Sequence, residues 1–173
     1  MGSFVPHIYT FILPMFMGNI MHMLIVKQDM FTSLAKPISI YLFGAGKTWR
    51  GFVVMPLIGG IFSLLFRTVF LHATDYGWSF AIGFILGLTY LLGELPNSYF
   101  KRKLGIGAGQ SHSRYKWLQH VIDKTDSLLP MCVVYYCITT INVQMTFVLF
   151  AVSFIIHVVF SWLLYRIRVK KSF

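Results

Sequence analysis

Apolar positions in this chain fall into five long runs, and polar positions gather in the stretches between them. The runs extend over about 4–26, 51–71, 78–95, 128–142 and 145–165. None alternates with the period of a half-buried strand. A bilayer-spanning helix needs about 20 apolar residues, so the pattern predicts an all-α integral membrane protein with about five transmembrane helices. The run at 128–142 is short for a crossing. It is expected to be lengthened by helix from the Asp123 region or to sit in thinned bilayer. The links at 72–77 and 142–145 are short and make the helices they join antiparallel. One domain over 1–173 accommodates all five runs.

Composition agrees with this reading. The chain is 57% hydrophobic and 12% charged, with a mean hydropathy of +0.70. A net charge of +10 would fit nucleic acid, but basic residues beside apolar runs are what membrane insertion requires, so no nucleic-acid partner is expected. Lys27, Lys36, Lys47 and Arg50 lie between runs one and two. Lys101, Arg102, Lys103, Arg114, Lys116 and Lys124 lie between runs three and four, and Arg166, Arg168, Lys170 and Lys171 follow run five. Arg67 alone falls on the other side. The positive-inside rule then puts the N-terminus outside and both long loops in the cytoplasm, in a multi-pass protein of the cell (plasma) membrane. The first run has no basic leader or small-residue cleavage site and reads as a retained helix. Cys132 and Cys137, within an apolar run, are expected as two buried thiols.

The polar segments carry the candidate chemistry. Glu94, Asp123 and Asp126 are three of only five acidic residues, and all lie at the edge of an apolar run. Carboxylates are costly near lipid, so those retained there commonly bind or catalyse. If the third run continues as helix, Glu94, Ser98 and Lys101/Arg102 share a face at i, i+4 and i+7/i+8. Pro96 removes a backbone donor there and is a candidate kink. A helix end with a capping acid and snorkelling bases explains the same residues. Asp123 and Asp126, three apart with Ser127 beside them, suit Mg2+, which takes a few carboxylates and completes its shell with water and phosphate oxygens. Acids favouring the dipole of the next helix are the simpler explanation of one Asp, less readily of two.

The segment Gly44-Ala45-Gly46-Lys47-Thr48-Trp49-Arg50-Gly51 resembles a P-loop only superficially, because Tyr41 stands where the first glycine is required. Its amides, Lys47 and Arg50 can still grip phosphate, and a plain juxtamembrane basic loop fits equally. The six histidines show no i, i+3 or i, i+4 pairing, so no zinc site is expected. His120 is a candidate pocket residue. Gly105–Gln119 is polar and glycine-rich, suited to a lid or to an ordinary surface loop.

Taken together the motifs resemble the CDP-archaeol synthase family and, more remotely, the phosphatidate cytidylyltransferases. Lys47-Thr48-Trp49-Arg50-Gly51-Phe52 is similar to the family's K-T-W-R-G-F block. Gly93-Glu94-Leu95 with Ser98, Lys101 and Arg102 is similar to G-D-L-x-x-S-x-x-K-R, continued by Leu104-Gly105-Ile106. Asp123-Lys124-Thr125-Asp126-Ser127 is similar to D-R-x-D-S. Glu94 replaces the family's Asp, Lys124 replaces an Arg, and the Lys-Asp and Gly-Gly elements of the broader signature are missing after Ile106.

The resemblance implies CTP-dependent transfer of CMP to a lipid phosphate with release of pyrophosphate, CTP being the co-substrate. It implies two Mg2+ ions held by Glu94, Asp123 and Asp126. Lys47, Thr48, Arg50 and Ser98 would bind nucleotide. Asp123, Lys101, Arg102 and Lys124 would be catalytic. Expected partners are the lipid phosphate, CTP and the bilayer, with a homodimer allowed. A non-catalytic lipid-binding or transport protein, or a transferase acting on a polyprenyl phosphate, would use the same basic loops.

Overall fold

The computed structural model describes residues 3–107 and 116–166. Its long elements are α1 (Val5–Lys27), α2 (Trp49–Leu71), α3 (Tyr76–Lys103), α4 (Lys116–Thr125), α5 (Leu128–Ile138) and α6 (Val143–Arg166). Four of these, α1, α2, α3 and α6, are long and apolar enough to cross a membrane. The protein is an all-α integral membrane protein.

The expected fourth span takes a different form. α5 has only 11 residues, or roughly 17 Å of helix against a hydrocarbon core of about 30 Å. The turn at Asp126–Ser127 separates it from α4, so the two do not make one straight rod. The chain nevertheless passes from one end of the bundle to the other here. Asp126 lies beside Asn97 at one end, while the Tyr135 hydroxyl meets His7 Nδ1 at 2.9 Å at the other.

Local chemistry sets the helix limits. Pro6 sits in the first turn of α1, where its missing N–H costs nothing. A π-helical turn, Ile8–Ile12, lies inside α1. α2 ends at His72, which takes a left-handed φ of 50°. Asp75 then caps α3 by accepting from the Trp78 amide at 2.9 Å. α3 runs helical through Pro96 for 28 residues. That is about 42 Å, longer than the hydrocarbon core, so its last turns, from Glu94 on, project past the lipid.

α2 and α3 pack through small residues. A Cβ on Gly83 would lie 2.1 Å from the Gly59 carbonyl oxygen, and one on Gly87 would lie 2.8 Å from that of Met55. With Ser63, these residues form facing small-residue stripes that let two backbones touch. Phe11, Ile82, Leu128, Met131, Tyr135 and Leu149 fill the remaining core. Outside it, Leu57, Ile61 and Leu65 make an exposed apolar stripe on α2, as do Ile155, Val159 and Trp162 on α6. Such faces are stable only against lipid.

Of the basic residues expected together, Lys47, Lys101 and Arg102 meet around one cavity, while Lys27 and Arg166 end α1 and α6. Arg67, towards the other end, donates to Ser79 Oγ at 3.0 Å and Thr10 Oγ1 at 3.2 Å. Only one of the two cysteines is buried. Cys132 faces the core and Cys137 is exposed, because five residues turn an α-helix by roughly 140° beyond a full revolution.

Candidate active site

The projecting end of α3 is the floor of the site. Gly93 lets the Asp126–Ser127 turn approach: a Cβ there would meet the Asp126 carbonyl oxygen at 2.7 Å. This contact brings the end of α4 against the α3 turn that carries Glu94, Asn97, Ser98, Lys101 and Arg102.

The loop before α2 supplies the wall. Pro37 and Thr48 form an antiparallel bridge, with Ile38 N donating to Lys47 O at 2.9 Å and Trp49 N to Lys36 O at 3.1 Å. Between the bridged segments, Ile40–Phe43 makes one helical turn, started by Ser39 Oγ accepting from Leu42 N at 3.2 Å. Gly44 then takes φ +82°, and Arg102 lies over it, 3.1 Å from where a Cβ would be. Glycine is needed there for both reasons.

Together these elements enclose a cavity of about 270 Å3 lined by Phe43, Gly46, Lys47, Glu94, Asn97, Ser98, Lys101, Arg102, Asp123 and Asp126. Lys47 pairs with Glu94 and Lys101 with Asp123, and Arg102 donates to Ile106 O. Asn97 Nδ2 donates to Asp123 Oδ1 and to Asp126 Oδ2, each at 2.7 Å. Among the described residues, Asp126 Oδ1 is buried without a hydrogen-bond donor. Burial pushes the Asp126 carboxyl up to about 6, a rise opposed by the Asn97 hydrogen bond and reinforced by Glu94.

Seven of the residues singled out in sequence meet here: Lys47, Glu94, Ser98, Lys101, Arg102, Asp123 and Asp126. Three others lie elsewhere. Thr48 stands at the N-terminal boundary of α2, within the bridge, and its side chain makes no capping hydrogen bond. Arg50 is 7% exposed and donates to Met30 O at 2.9 Å and Asp29 Oδ1 at 3.3 Å. It thereby holds the turn in which Asp29 and Phe31 both have φ 54°. Lys124 is buried and lines a second cavity, also about 270 Å3, with Asn19, His22, His157 and Ser161. Glu94 and Asp123 border both cavities. The expected lid over Gly105–Gln119 falls largely outside the described residues, as does the His120 side chain.

A third space adjoins the first. An apolar groove of about 1020 Å3 runs between α3 and the α4–α5 segment, lined by Leu92, Pro96, Phe100, Leu104, Ile122 and Leu129 among others. Asn97, Lys101 and Asp126 close its polar end and also belong to the charged cavity. A ligand with an apolar tail and an anionic head is matched by this junction.

The donor set fits a divalent cation in one place. No three His, Cys, Asp or Glu side chains among the described residues converge to form an ion cage. Asp123 and Asp126, joined by Asn97 and carrying one unpartnered oxygen, are the number of carboxylates that Mg2+ takes when a phosphate completes its shell. Glu94 is turned to Lys47 instead.

Comparison with known proteins places this chain in a family. The CarS-like CDP-archaeol synthase family model matches residues 3–173. The chain belongs to the CDP-archaeol synthase family. It is 26% identical over 131 residues to the CDP-archaeol synthase of Pyrobaculum islandicum, covering 76% of this chain and 73% of that protein. It is 24% identical over 132 residues to that of Sulfurisphaera tokodaii, covering 75% and 71%. A 31% identical match to the Pyrococcus furiosus CDP-archaeol synthase covers 68 residues, 39% of this chain and 41% of that protein. No solved structure gives a significant match.

Asn97 was not singled out in sequence. The available signal was its place three residues after Glu94 and four before Lys101, on the same helical face. Asn19 and His22, three apart on α1, had the same kind of spacing signal, whereas His157 stands alone on the apolar α6.

Proposed function

We propose that this member of the CDP-archaeol synthase family transfers the cytidylyl group of CTP to the phosphate of a membrane lipid and releases pyrophosphate. The junction of a charged cavity with an apolar groove at Asn97, Lys101 and Asp126 supports the reading. A lipid lying in the groove brings its phosphate to the wall of the cavity that suits a triphosphate.

An oxygen of the lipid phosphate attacks the α-phosphorus of CTP. The bond from that phosphorus to the β-phosphate bridging oxygen breaks, and pyrophosphate leaves with the electron pair. The nucleophile belongs to the substrate, so the protein positions groups and balances charge. Lys47 and Lys101 exchange their carboxylate partners for phosphate oxygens, and Arg102 at the rim offers a planar fork to the same anion. Asp123 and Asp126 would hold Mg2+, which would supply positive charge against that developing on the leaving pyrophosphate. The buried faces of α3 and α5 keep bulk water from one side of the reacting centre.

The basic end of the bundle faces the cytoplasm in this reading, where CTP is available, and the membrane is the cell membrane. Incubation of the purified protein with CTP, Mg2+ and a panel of ether- and ester-linked lipid phosphates tests it. A CDP-lipid is the expected product. Failure with every acceptor, by protein that is folded and binds CTP, refutes the transferase reading.

A further inference from the structure

Asn97 occupies an unusual position. One amide nitrogen donates at 2.7 Å to each of two carboxylates, Asp123 and Asp126. Two like charges this close repel, and something positive must stand between them. A neutral amide supplies only a partial charge. Lys101 supplements it on Asp123. Among the described residues Asp126 Oδ1 stays buried with no donor, an arrangement that costs free energy unless a further ligand is bound there. The nitrogen of Asn97 thus bridges the two carboxylate oxygens that a hard cation would share.

The same side chain has a second capacity. Half a turn about its terminal torsion exchanges Nδ2 for Oδ1 without moving the backbone. Oδ1 is an amide oxygen, a good ligand for Mg2+ or Mn2+. With Glu94 engaged by Lys47, an oxygen from position 97 is available to an ion between the two aspartates.

We propose that Asn97 is a positioning residue with two states: its NH2 holds the Asp123–Asp126 pair together in the empty site, and its carbonyl oxygen ligates the divalent cation that displaces the NH2. This rests on reading the cavity as a metal–nucleotide site. A purely structural tie between α3 and α4 differs in its consequence. Its loss would lower the melting temperature and leave ion affinity alone.

Binding of Mn2+ to the purified full-length protein in detergent separates the two, measured by loss of the free-ion EPR signal without nucleotide or lipid. Asn97→Ala is expected to weaken Mn2+ about tenfold or more, the scale seen when a supporting group of a metal site is removed. Asn97→Asp, which keeps an oxygen at that place, is expected to bind at least as tightly as the native protein. If Asn97→Ala does not fold, the nearly isosteric Asn97→Leu replaces it with the same expectation. If neither folds, Asn97→Asp decides alone, and weakened binding overturns the proposal. Native-like affinity in Asn97→Ala or Asn97→Leu overturns it also, while leaving the metal site in place. Asp123→Asn is the reference for a lost ligand. A native protein that binds no Mn2+, with or without added pyrophosphate, refutes the metal reading itself and Asn97's role with it.

Discussion

Lys47 donates to Glu94 across the charged cavity and thereby ties the loop before α2 to the projecting end of α3. The two side chains are 23% and 20% exposed, between a surface pair and a buried one. Lys47→Met strands the carboxylate and is expected to destabilise the protein by about 1–2 kcal/mol, between the limits for exposed and buried pairs. The double variant Lys47→Met/Glu94→Gln should recover part of that loss, as read from melting in detergent. Equal additive losses would show that the pair does not couple.

Arg50→Ala is expected to act on stability and to spare nucleotide binding. Its guanidinium serves Met30 O and Asp29 and is absent from the lining of the charged cavity. Losing a hydrogen bond from a charged donor to the part-buried Met30 carbonyl costs up to about 1.5–3 kcal/mol. The check is a lowered melting temperature with an unchanged KM for CTP at a temperature where the variant is folded. A raised KM without destabilisation would restore the phosphate contact expected from the loop sequence.

The Asp126 carboxyl has a pH signature. Its folded pKa is raised from 3.8 to about 6, so the folded state holds this proton more tightly than the unfolded state does. Its contribution is therefore favourable at low pH and is lost as pH rises from about 4 through about 6. In metal-free protein, the native melting temperature should fall relative to Asp126→Asn across that window. Parallel profiles would show that Asp126 does not titrate there. Divalent binding requires the ionised form, so Mn2+ affinity should weaken below pH about 6.

Glycine positions separate close packing from open space. A Cβ on Gly83 would overlap the Gly59 backbone, whereas Gly46 has nothing within 4 Å and no positive φ. Gly83→Ala is expected to cost on the order of 1–3 kcal/mol or more, the scale of overpacking. Gly46→Ala should leave stability nearly unchanged. Equal melting temperatures for the two variants would contradict the α2–α3 seam.

Hydropathy made the long helices legible, because a lipid-facing helix must be apolar for most of its length. It did not reveal that the crossing at 128–142 is built from the short α5 beyond a turn at Asp126–Ser127. That break depends on Gly93 admitting the turn to α3, a tertiary contact. The acids and Lys residues of the cavity were legible because charge beside lipid is costly enough to stand out. Their partners were less so. Arg50 and Lys124 stand in the same motifs as Lys47 and Asp123, yet face a turn and a second cavity, since a motif gives residue order but not side-chain direction. Asn97 carries no charge, so its place on the helical face of Glu94 and Lys101 was a weak signal beside its structural place between two carboxylates.

The central claim is that lipid phosphate and nucleotide meet at the Asn97–Lys101–Asp126 junction and exchange a cytidylyl group. The most direct measurement follows two labels at once, with CTP labelled at the α-phosphate in one sample and at the γ-phosphate in another, each given Mg2+ and a lipid phosphate. The account predicts that α-label passes into the lipid fraction while γ-label leaves as pyrophosphate in equal amount, and that Asp123→Asn stops both. Label in the lipid from the γ-phosphate, or full transfer by Asp123→Asn, would contradict it.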